Sequence, residues 1–117
     1  MKTLNQINKE IIDAHKLLVE ANKINSKKAK TLFKRLNKRI IWLKLIRTYL
    51  ESNPREAFVQ SEKEMILIRI ARIDSGYAIW AAGRALGKYK NPMKTYTNEM
   101  GLPALKEQLK TLKYILD

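Results

Sequence analysis

The sequence predicts an all-α fold: an elongated antiparallel helical hairpin or small helical bundle of about four helices. Three observations point there. Apolar residues recur at spacings of three and four through most of the chain, no segment reads convincingly as a strand, and helix-capping residues stand where the periodic segments begin. A long central helix near 54–89 dominates the arrangement, roughly 50 Å of it at about 1.5 Å per residue.

The first helix runs from about Leu4 to Ile24. Leu4, Ile7, Ile11, Ala14, Leu18 and Ala21 form one stripe, and Thr3 is placed to cap it. Asn25 and Ser26 either end this helix or lie within a longer one. The second runs from about Lys27 to Leu50 with Ser26 as its N-cap. In its first half Ala29, Leu32, Phe33 and Leu36 share one side, and Lys27, Lys30, Lys34 and Lys38 cluster opposite, flanked by Lys28, Arg35 and Arg39. Its second half, Ile40 to Ile46, is apolar almost all round, which asks for neighbours on several sides. The basic end is therefore expected in water and the apolar end in the core.

Asn53, Pro54 and Glu56 read as cap, first helical residue and capping-box partner of a third helix. The short link makes the second and third helices an expected antiparallel hairpin. The third helix, from Pro54 to about Tyr89, carries two seams. Ile66, Ile70, Ile73, Tyr77 and Trp80 form a bulky one. Ile68, Ala71, Ser75, Ala78, Ala82 and Ala85 form a mostly small one, nearly half a turn away, suited to helix packing or an oligomer interface. The β-branched stretch Ile66–Ile70 offers a strand as the competing reading, and the glycines at 76, 83 and 87 weaken the helix. Asn91-Pro92 should end it. Residues 91–101 read as a loop that holds Tyr96 and has room for one helical turn. A last helix opens at Gly101-Leu102-Pro103 and runs to about Leu116, with a stripe of Leu105, Leu109, Leu112 and Leu116. No repeat or linker divides the chain, so 1–117 is expected to be a single domain.

Charge is the most informative property for function. Between Glu20 and Glu51 stand ten bases and no acid: Lys23, Lys27, Lys28, Lys30, Lys34, Arg35, Lys38, Arg39, Lys44 and Arg47. The formal charge of +13 is concentrated accordingly, +10 in residues 1–50 and +3 in 51–117. Such a run favours a large polyanion over a small substrate as partner. Phosphate contact by Lys27, Lys28, Lys30, Lys34, Arg35, Lys38 and Arg39 is the leading expectation, with an acidic protein surface as the rival and a solvated helix face as the plain alternative. Arg84, Lys88, Lys90 and Lys94, interleaved with Tyr89 and Tyr96, form a second basic cluster. There the aromatic rings offer stacking to unpaired bases, and the cations also suit a helix C-terminus.

Other chemistry is sparse. With no cysteine, disulfides and thiolate metal sites are excluded. His15 is the only histidine and has no partner set for catalysis. Glu62 and Glu64 point to different sides of a helix. Gly83 to Gly87 is a packing pattern without the Lys-Ser/Thr of a phosphate loop. Trp42 and Trp80 occupy apolar positions, and Arg69 and Arg72 have acids within reach for pairing. No cofactor, metal or enzymatic activity is expected. Lys9, Glu10, Asp13 and Lys16 interrupt any signal-like run, and no stretch is apolar enough to span a membrane. The expected location is the cytoplasm, or a virion if the chain is viral.

The general shape, a small basic helical hairpin, resembles phage nucleic-acid-binding accessory proteins and small virion connector or capsid-associated subunits. No motif transfers residues from either. The turn at Ser52-Asn53-Pro54 joins helices too long for a helix-turn-helix. The expected function is non-catalytic binding of nucleic-acid backbone without sequence specificity. The alternatives are a structural or assembly subunit, homo-oligomeric or part of a larger complex, and an inhibitor that docks on an acidic surface.

Overall fold

A computed structural model describes residues 1–87 and 93–117, the side chains of 93–95 excepted. The expected helix end at Tyr89 and the stop at Asn91-Pro92 lie outside the described residues. Among those described there are five helices and no strand: α1 (Leu4–Lys23), α2 (Lys27–Glu51), α3 (Glu56–Ala85), α4 (Met93–Glu99) and α5 (Leu102–Leu116). The chain divides into two compact units, Met1–Arg55 and Glu56–Asp117.

In the first unit α1 packs along α2 as an antiparallel hairpin, closed by the short link Ile24–Ser26. Both N-termini are satisfied by side chains. The Gln6 N–H donates to Thr3 Oγ1 at 3.2 Å, and the Thr3 N–H donates to Gln6 Oε1 at 2.9 Å, a complete capping box. Ser26 Oγ accepts from the Ala29 N–H at 3.1 Å. Ile7, Ile11, Ala14 and Ala21 of α1 are buried, as are Ala29, Leu36, Ile40, Leu43 and Ile46 of α2.

The buried set is narrower than the sequence suggests. Phe33 is half-buried and Leu32 is exposed. In the apolar half of α2, Ile41 and Leu45 are each 63% exposed. A single antiparallel neighbour covers only one stripe of a helix, so residues off that stripe stay in water whatever their hydrophobicity.

The second unit starts later than the cap pattern suggests. Asn53 has φ +57°, and its N–H donates to the Leu50 carbonyl at 2.9 Å. That is the left-handed conformation that closes a helix, whereas an N-cap is extended. Asn53 therefore terminates α2, and α3 begins at Glu56. At the other end Gly87, φ +78°, donates its N–H to the Arg84 carbonyl at 2.9 Å, and α3 stops at Ala85. Glycine takes this conformation without a Cβ penalty.

The bulky seam of α3 faces the unit's core. Ile66 and Trp80 are buried and Ile70, Ile73 and Tyr77 half-buried, joined by buried Val59 and Gly83. Across from it α5 buries Leu102, Leu112 and Ile115, while Leu105, Leu109 and Leu116 are half-buried. Tyr96 of α4 stacks on Trp80, ring centroids 5.5 Å apart, and sits 6.2 Å from Tyr77. Gly76 makes room for this: a Cβ there would lie 2.5 Å from the Tyr96 hydroxyl.

Leu43 is fully buried in the α1–α2 seam. Leu43→Ala is expected to lower stability by about 2–5 kcal/mol, read as the shift in a chemical-denaturation midpoint.

Candidate nucleic-acid interface

The geometry of α2 turns the basic run into a surface. Lys27, Lys30, Lys34 and Lys38 recur at spacings of three and four, so they share one face, with Lys28, Arg35 and Arg39 beside them. All seven are exposed. On a helix, neighbours at these spacings lie about 5–6 Å apart at Cβ, inside a Debye length of roughly 8–10 Å, so their fields add.

No ion pair among the described residues offsets that field. Among the described residues two ion pairs occur, Lys2–Glu10 at 3.9 Å and Arg47–Glu51 at 4.0 Å, and neither involves any of the seven. The first turn of α2 contains no acid, so its positive dipole end adds to the lysines. Like charges at these spacings destabilise a helix by about 0.2–0.5 kcal/mol per pair. The α1 seam and the Ser26 cap hold the helix against that cost.

The face continues beyond the cations. Spacings of three and four from Lys38 lead to Ile41 and Leu45, both exposed. The sequence carried this signal in its spacing, but the apolar character of Ile40 to Ile46 pointed to burial.

The other basic residues are arranged differently. Arg84 is exposed on α3, its guanidinium carbon 5.6 Å from the Trp80 ring centroid, a cation–π distance. Lys88 and Lys90 lie outside the described residues, as do Tyr89 and the side chain of Lys94. Tyr96 is half-buried and has one ring face against Trp80. The small seam of α3 faces away from the core: Ile68, Ala71, Ser75, Ala78, Ala82 and Ala85 are all exposed.

Protein-family models, curated proteins and solved structures give no match to the chain. Among those described, no group of three His, Cys, Asp or Glu side chains is placed to hold a metal ion, and no helix is long and apolar enough to cross a membrane.

Because the α2 cations are exposed and hold no ion pair, reversing Lys34, Arg35, Lys38 and Arg39 together to Glu should leave the fold intact. An unchanged far-ultraviolet circular dichroism spectrum is the expected result. Loss of helicity would mean that this face is buried.

Proposed function

We propose that the chain is a non-catalytic nucleic-acid-binding protein whose α2 contacts phosphates without reading sequence. The supporting observation is the acid-free cationic face just described, seven exposed bases on one helix with no ion pair among them. Lysine dominates it, with Lys27, Lys28, Lys30, Lys34 and Lys38 against Arg35 and Arg39. Ammonium groups act as point charges toward phosphate, whereas bidentate base reading relies on arginine geometry.

Such binding works by counterion release and has a salt signature. If about six phosphates of a duplex are neutralised, the logarithm of the association constant falls with a slope near −5 against the logarithm of salt concentration. The quadruple Glu variant should lose most of this affinity. A binding constant that barely moves with salt would sink the proposal.

A second reading, an assembly subunit, is favoured by the outer face of α3. Ile79 and Leu86 are 72% and 75% exposed and flank the small seam, beside Met65 and Ile68. Paired antiparallel with a second copy, this face sets Ile68 opposite Ala85, Ala71 opposite Ala82 and Ser75 opposite Ala78. Residues 56–117 carry ten bases and seven acids, a charge of only +3 that opposes self-association far less than the first unit's does. Sedimentation at high micromolar concentration should show an oligomer that Ala78→Arg dissociates. A wild-type monomer would exclude this reading and leave the first untouched.

A further inference from the structure

At the turn of the α1–α2 hairpin the surface holds an open depression of about 400 Å³, built from the end of α1, the link, and the first turns of α2. Its lining mixes apolar, cationic and amide groups. The half-buried Phe33 and the exposed Ile24 supply apolar surface, Lys23, Lys30 and Lys34 supply positive charge, and Asn22 and Asn25 add amide groups. Lys30 and Lys34 also belong to the phosphate-binding face proposed for α2, so a strand lying on that face passes the depression.

We infer that this depression receives an unpaired nucleobase of a single-stranded or frayed nucleic acid. The inference rests on the nucleic-acid reading and adds the form of strand preferred. Three kinds of group would act together. The Phe33 ring meets a face of the base, as aromatic residues do in single-strand sites that tolerate any sequence. Asn22 and Asn25 present both donors and acceptors to base edges, which a paired base would not offer in full. Lys23, Lys30 and Lys34 hold the phosphates on either side. The volume falls in the range of small-ligand sites, about 300–1,000 Å³, and the open side lets the strand enter and leave. A duplex keeps its bases stacked and uses only the lysines.

The test is fluorescence anisotropy with a labelled single strand and a blunt duplex of equal phosphate number, on nuclease-treated full-length protein. Wild type should prefer the single strand. Phe33→Leu, which keeps the apolar packing, should weaken single-strand binding by about five- to a hundredfold and leave duplex binding unchanged. If Phe33→Leu alters the circular dichroism spectrum, Asn25→Ala, at an exposed link position, carries the test with the same selective loss expected. Equal affinity for both strand forms, or an equal effect of the variant on both, would overturn the depression as a base site while leaving phosphate binding by α2 in place. Absence of binding to either form would overturn the nucleic-acid reading and this inference with it.

Discussion

The apolar seam between α1 and α2 is the constraint from which the exposed surface of the first unit follows. An antiparallel partner covers one stripe of each helix. Ile7, Ile11 and Ala14 on one side and Leu36, Ile40 and Leu43 on the other fill it. The face of α2 turned away from that seam is left for water, which is where lysines at three- and four-residue spacing belong and where Ile41 and Leu45 are conspicuous. The seam also resists mutual repulsion of the cations. Burying a Leu or Ile side chain is worth about 1.5–3 kcal/mol, several times the cost of one like-charge pair on a helix. The packed hairpin lets this helix hold its unpaired charge.

The second unit solves a different problem. α3 is apolar on two opposite faces, yet α4 and α5 cover only one. Core contact goes to the bulky seam, because Ile66, Tyr77 and Trp80 remove far more area from water than alanine does. Gly76 admits Tyr96 against Trp80, and this aromatic cluster ties the short α4 to α3. What remains outward is a face of small residues flanked by Ile79 and Leu86, smooth enough for another backbone to approach closely.

The helices themselves were legible because their signals are local. Thr3 and Ser26 cap where the side-chain chemistry demands, and the 3–4 periodicity of α1 and α2 names most of the buried residues. Misreadings arose where one residue serves two neighbouring helices or where neighbours decide burial. Asn53 has the composition of an N-cap, but its left-handed φ closes the preceding helix instead. Leu32 shares a face with Leu36 on paper, though it sits beyond the stripe that one partner covers. Ile41 and Leu45 are indistinguishable from Ile40 and Leu43 by composition alone. The exposure of the seven cations of α2 was legible from their spacing, whereas the continuation of that face to Ile41 and Leu45 was not. The depression at the hairpin turn was not: Asn22, Lys23 and Phe33 belong to different helices and meet only because the link is short.

That short link also fixes how far apart in sequence the hairpin's contacts lie. Residues near the turn, such as Ala21 and Ala29, are close neighbours along the chain, and only the open end joins distant positions. Topologies dominated by such local contacts form on microsecond to millisecond timescales, because little loop entropy is lost before contacts are gained. Synthesis at about 5–20 residues per second is far slower, so α2 has its whole partner available as soon as it emerges. The cationic helix therefore spends almost none of its existence as an unpaired, highly charged segment.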